Sequence, residues 1–166
     1  MKKKERIIII GAAILIALLA IFVIVRSKIR IYTVSNANFR VSYDSTWRVK
    51  DKKEQLYLVH KKTKSVLRIQ CKILEDNYIN TSLSELIDDI VFSIEEQNKD
   101  YVLINREGTN EEYSYLYENN DKQVLVRIMK KDNKVIIAYY EAESKYYDIV
   151  LDSVEIILDN LVILFQ

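Results

Sequence analysis

Nineteen consecutive residues, Ile7 to Val25, read IIIIGAAILIALLAIFVIV and contain no charge and no strongly polar group. As a helix rising 1.5 Å per residue they span roughly 28 Å, close to the thickness of the bilayer hydrocarbon. A cleavable signal peptide has a shorter apolar core and a small-residue cleavage site after it. Here Arg26, Ser27 and Lys28 follow, and no cysteine is nearby to carry a lipid. A buried core helix this apolar needs a larger protein around it than 166 residues provide. The run is therefore expected to cross a membrane once. Lys2, Lys3, Lys4 and Arg6 precede it, against Arg26, Lys28 and Arg30 after it. That bias, with the six-residue tail, predicts a cytoplasmic N-terminus and an extracytoplasmic remainder. Ala13 and Ala17 form a small-xxx-small pair, with Gly11 nearby, which permits the span to pack closely on another helix.

Charge divides the chain in the same place. The formal net charge is +1, but residues 1–30 hold seven Lys/Arg and one acid. The remainder then holds 18 basic and 23 acidic residues, a net of −5. On net charge this part is a poor ligand for DNA, RNA or an anionic polymer, all of which need a basic footprint. The basic flanks of the apolar run suit lipid headgroups. Cys71 is the single cysteine, so no internal disulfide forms. An extracytoplasmic domain without disulfides fits a Gram-positive bacterium, as does a Lys-, Ile- and Asn-rich chain with no proline.

The expected organisation is a basic tail (1–6), the span (7–25), a linker (26–37) and one domain (38–166). Within the domain, alternating apolar residues predict strands at about 39–43, 47–50, 55–60 and 65–74. "KKTK" at residues 61–64 makes a hairpin turn, with Leu58 opposite Leu67. In strand 65–74, Leu67, Ile69, Cys71 and Ile73 point inward; Arg68, Gln70 and Lys72 point outward. A helix follows at about 82–98. Ser82 and Glu85 form a capping box, and Leu83, Leu86, Ile87, Ile90, Val91 and Ile94 share one face. Strands return at about 101–107, 112–118, 123–131 and 134–141. A last helix starts near Ser144 and buries Tyr146, Ile149, Val150 and Val154. After Asp152 the sequence permits either more helix or an extended tail. Four strands, a helix, four strands and a helix imply an α+β domain: an antiparallel sheet covered by two helices.

The opening "FRVSYDSTW" places Phe39, Val41, Tyr43 and Trp47 in the pattern F-x-V-x-Y-P-x-x-W, with Asp44 in place of proline. That pattern, the order of elements and the closing "YYDIVLDSVEI" resemble the PsbP-like family over roughly residues 38–157. The resemblance implies an α+β fold in which Trp47 packs in the core beside the first helix. It also implies a domain that binds and assists assembly rather than an enzyme. Its matching positions determine the fold, so no site residue transfers.

The residues themselves supply little chemistry. His60 and Cys71 are alone in their types. The hairpin register puts them six residues apart along a strand, roughly 20 Å, too far for a nucleophile–base pair. One His and one Cys do not close a zinc site. "EDN" at residues 75–77 lacks calcium-loop spacing. With two glycines in the chain, neither a phosphate loop nor a nucleophile elbow exists. Neither catalytic residues nor a cofactor are expected. The twelve tyrosines are the remaining signal. Tyr113, Tyr115 and Tyr117 share one strand face, with Tyr139 on a neighbour. Tyrosine is a favoured strand residue at the margin of a core, and that is the preferred reading. If the domain has a partner surface, these residues are the first candidate for it, as an aromatic groove for peptide or glycan. The expected partners are the lipid bilayer and another membrane or envelope protein, with no nucleic acid.

Overall fold

The computed structural model describes residues 14–21, 29–34, 39–52, 55–97 and 99–164. Residues 14–21, the middle of the apolar run, are helical, and all of them are exposed. The ends of the run, Gly11 and Ala13 among them, lie outside the described residues; Ala17 lies on the helical segment. No helix among the described residues is long and apolar enough to cross a membrane.

The domain has an α+β architecture built on antiparallel pairing. Ten strands are present among the described residues: β1 (Ile29–Val34), β2 (Phe39–Asp44), β3 (Trp47–Lys52), β4 (Gln55–His60), β5 (Val66–Ile73), β6 (Val102–Gly108), β7 (Glu112–Glu118), β8 (Lys122–Lys131), β9 (Lys134–Glu143) and β10 (Val162–Ile163). Two helices accompany them, α1 (Leu83–Gln97) and α2 (Ser144–Asp159), with a 3-10 turn at Asp76–Tyr78. Seven strands form one sheet in the order β3-β4-β5-β9-β8-β7-β6; a small sheet has the order β1-β2-β10.

Each helix covers a different face of the large sheet. Leu83, Ile87 and Ile94 of α1 pack on Tyr115, Tyr117, Val126, Ile128 and Ile137. On the opposite face, Val150, Val154 and Ile157 of α2, with Phe39 and Val41 of the small sheet, pack on Leu58, Leu67, Ile136 and Tyr140. Strand β9 lies between both cores and is buried from Lys134 to Tyr140. Its run "KVIIAYY" has no alternation for that reason.

Local chemistry sets the joints. The Ser82 N–H donates to the Glu85 carboxylate at 3.0 Å, one half of the expected capping box. The Ser82 hydroxyl instead meets Ser84 Oγ at 2.8 Å. The β4–β5 hairpin has the expected register, Leu58 opposite Leu67. Its turn closes through His60 N–H to Ser65 O at 2.8 Å and Lys64 N–H to His60 O at 3.0 Å. Lys64 adopts a left-handed φ of 65° to do so.

Four expectations are corrected. Residues 29–34 form β1, paired with β2, rather than part of a linker. Ile31 of that strand is 68% exposed, so its apolar alternation marks an outer face. Trp47 is buried beside α2, not α1; its indole N–H donates to Ser153 Oγ at 2.9 Å. In α2 the buried stripe is Tyr147, Val150, Val154, Ile157 and Leu158; Tyr146 is half-buried and Ile149 is 72% exposed. Ile73, at the end of β5, is exposed rather than inward. The chain after Asp152 continues as helix to Asp159 and then adds β10 to the small sheet.

Candidate binding face

Tyr113, Tyr115 and Tyr117 do line one face of β7, stacked at 6.4 and 6.3 Å between successive rings. They do not form a groove. Tyr115, Tyr117 and Tyr139 are buried, because the apolar stripe of α1 lies on them. Burial pushes the Tyr117 phenol up to about 12, with Glu95 adding to the shift. It raises Tyr115 and Tyr139 in the same direction. The hydroxyls of Tyr115 and Tyr117 have no hydrogen-bond partner. Only Tyr113 remains half-buried, with the Arg106 guanidinium 5.5 Å from its ring centre. The tyrosine row is a core layer.

The open surface lies beside it. Helix α1 packs on β7, β8 and β9, leaving the same sheet face polar where it continues over β3, β4 and β5. Register identifies its residues, since directly paired residues point the same way. Lys50 pairs with Tyr57, Tyr57 with Arg68, and Arg68 with Tyr139. Arg48 pairs with Val59, Gln55 with Gln70, and Lys72 with Val135. Arg48, Lys50 and Lys72 are exposed; Gln55, Tyr57, Arg68 and Gln70 are half-buried.

Hydrogen bonds order this face. Tyr57 donates to Gln55 Oε1 at 3.1 Å, and Gln55 Nε2 donates to Gln70 Oε1 at 3.2 Å. The Arg68 guanidinium sits 4.1 Å above the Tyr139 ring, within cation–π range. Arg68 and Tyr139 separate two shallow hollows. One, of about 130 Å³, is lined by Tyr57, Val66, Val124 and Glu141 as well. The other, of about 120 Å³, adds Gln55, Gln70, Lys72 and Ser93 of α1. Both are far smaller than the ~300–1,000 Å³ of a small-molecule site. Glu141, at the rim, is paired with Lys122.

The charge of the domain is segregated. Residues 47–73, which make β3 to β5 and their turns, hold nine Lys/Arg and two acids. Helix α1 holds five acids and no base. The net of −5 is thus the sum of +7 over this sheet region, −5 over α1 and −7 over the rest of the domain. Sequence reasoning passed over this face because Arg68, Gln70 and Lys72 look like ordinary solvent-facing residues. The signal was the clustering of bases within 27 residues.

His60 and Cys71 stay apart. The His60 ring packs edge-on to Trp47 at 5.3 Å and meets Thr63 Oγ1 at 2.8 Å; burial lowers its pKa, opposed by Asp44. Cys71 is half-buried opposite Ile136 on β9, and burial raises its thiol pKa. Among the described residues, no group of three or more His, Cys, Asp and Glu side chains is placed to hold a metal.

No protein-family model and no curated protein matches the chain. Solved structures do. The solution structure of cyanobacterial PsbP (CyanoP) from Synechocystis matches with a TM-score of 0.63 at 12% identity, covering 82% of this chain and 92% of that one. A crystal structure from Bacteroides thetaiotaomicron matches with a TM-score of 0.52 at 13% identity over 84% of this chain; the match spans about half of that protein, 49%. LpqN, involved in cell envelope biogenesis of Mycobacterium tuberculosis, matches with a TM-score of 0.50 at 10% identity, covering 82% and 92%. At these identities the likeness concerns the fold alone.

Proposed function

We propose that this PsbP-like domain is a non-enzymatic binding module, held at a bacterial cell membrane by the Ile7–Val25 run and facing the extracytoplasmic side. It serves as an accessory or assembly subunit of an envelope complex. The observation that carries this reading is the open basic face of β3–β5, with Arg68 fixed over Tyr139 and hollows too small for a small-molecule ligand. Such a face suits an acidic segment of a protein partner: Arg forks carboxylates, and charge complementarity fixes orientation. The fold shared with LpqN, a protein of envelope biogenesis, supports the setting.

The test is site-specific photocrosslinking of the full-length chain in its own cells. A photoreactive residue at Lys50 or Lys72 is expected to capture one membrane or envelope protein. The same residue at Phe92, exposed on α1, is expected to capture none. Arg68→Glu with Lys72→Glu is expected to abolish the capture while the domain stays folded. A chain recovered alone from Lys50 and Lys72 would overturn the reading. Capture of a glycan or free peptide instead of a protein would convert the domain into a substrate-capturing one.

A further inference from the structure

We infer that the β4–β5 hairpin turn, with Lys61, Lys62 and Lys64, is a second membrane contact that rests on anionic lipid headgroups and sets the tilt of the domain on its anchor. The inference rests on the membrane-anchored reading above.

Topology puts this turn at the end of the domain where β1 begins. Strand β1 begins at Ile29, four residues beyond Val25, so the two are separated by at most about 14 Å of chain. Ile29 pairs with Asp44, the last residue of β2. The β2–β3 turn follows at Ser45 and Thr46, braced by Thr46 N–H donating to Asp44 Oδ1 at 2.8 Å. The hairpin turn is bonded directly to it. Lys61 N–H donates to Thr46 O at 2.9 Å, and the Lys61 ammonium donates to Ser45 O. Ile29, the β2–β3 turn and the lysine turn thus occupy one end of the domain.

The chemistry of that end suits a lipid surface. Lys61, Lys62 and Lys64 are exposed, as is Arg30 of β1. At the end of β2, a hollow of about 450 Å³ is lined by Tyr43, Asp44, Ile149, Asp152 and Ile156. Ile149 and Ile156 are 72% and 62% exposed. Cationic tips together with exposed aliphatic residues are the composition of an interfacial contact. The tether holds the lysines near a bilayer surface, where the Debye length is about 10 Å at 0.1 M salt. Each lysine close to an anionic surface shifts the docked-to-free ratio about fivefold, so three shift it about a hundredfold. Docking of this turn fixes which way the open face of β3–β5 looks.

The full-length chain is placed in nanodiscs of phosphatidylcholine, or of the same lipid with a third phosphatidylglycerol, and acetylated with a water-soluble reagent. Lys50 and Lys72 serve as internal references. In anionic discs, Lys62 and Lys64 are expected to react about tenfold more slowly relative to Lys72. The difference is expected to vanish in neutral discs and at about 1 M salt, where screening acts within about 3 Å. Lys62→Glu is expected to remove most of the Lys64 protection. Lys62→Gln, a milder change, is expected to remove about fivefold. Equal reactivity in both lipids, or protection of Lys64 that survives Lys62→Glu, overturns the inference while leaving the anchor intact. A chain that fails to enter either disc overturns the anchor and this inference together.

Discussion

Tyr117→Phe is expected to stabilise the domain, and to do so most at high pH. The Tyr117 ring is 2% exposed, and its hydroxyl is buried without a partner. An unmade hydrogen bond at a buried polar atom costs about 1–3 kcal/mol, whereas the ring contributes its burial with or without oxygen. Phenylalanine keeps the stack with Tyr115 and the contact with α1. The expected gain near neutral pH is about 1 kcal/mol. The pH dependence adds a second readout. The folded phenol titrates at about 12, against 10 when unfolded. Because the folded value is the higher one, its contribution is fully present below pH 10 and is lost as pH rises to 12. Two units correspond to about 3 kcal/mol. Urea unfolding of both proteins at pH 7, 10 and 11.5 measures the two effects. The difference between variant and parent is expected to widen between pH 10 and 11.5. A variant less stable by 1 kcal/mol or more at pH 7 would mean that the hydroxyl is satisfied and the reasoning is wrong. Tyr115 has the same orphaned hydroxyl and stacks on Tyr117, so the double variant is expected to be non-additive.

Ser153→Ala removes the acceptor of the buried Trp47 indole N–H. It is expected to cost about 1–3 kcal/mol in chemical denaturation, while Ser153→Thr retains most of the stability. Lys64→Gly relieves a left-handed backbone and is expected to raise the unfolding free energy by about 1 kcal/mol in urea titration; an unchanged value would mean that the strain is spent elsewhere. A Cβ at Gly108 would stand 2.2 Å from the Tyr113 ring, so Gly108→Ala is expected to lose about 1–3 kcal/mol. Tyr113→Ala in the same chain is expected to remove most of that penalty.

The sequence carries the fold wherever one side of an element is wet. Strands β4 and β5, their turn and α1 are legible because polar residues alternate with Leu58, Leu67 and Ile69, or share a helix with Ile87 and Ile94. Periodicity weakens where burial is two-sided or partial. Strand β1 exposes Ile31 and half-buries Tyr32, so its pattern imitates a linker. Helix α2 exposes Ile149 and Ile156, which displaces the apparent apolar stripe by a position. The binding face is harder still. Tyrosine is both a core residue and a contact residue, and only the position of α1 decides between them. The basic cluster is visible in the sequence, but the acidic residues of α1 and of the rest of the domain outweigh it in a net count.

The place of β9 has a consequence for how the domain folds. Strands β3–β5 and β6–β9 are two meanders, each closed by short turns, and they meet only where β5 pairs with β9. That seam joins Cys71 to Ile136 across more than sixty residues, whereas every other pairing in the large sheet closes a short loop. Loop closure is the slow and entropically costly event in such a topology. Ile137→Val, in the seam, is therefore expected to slow refolding after a stopped-flow jump. Val126→Ala, within the second meander, is expected mainly to speed unfolding. If both act on the same limb, zipping of the seam is not the rate-limiting step.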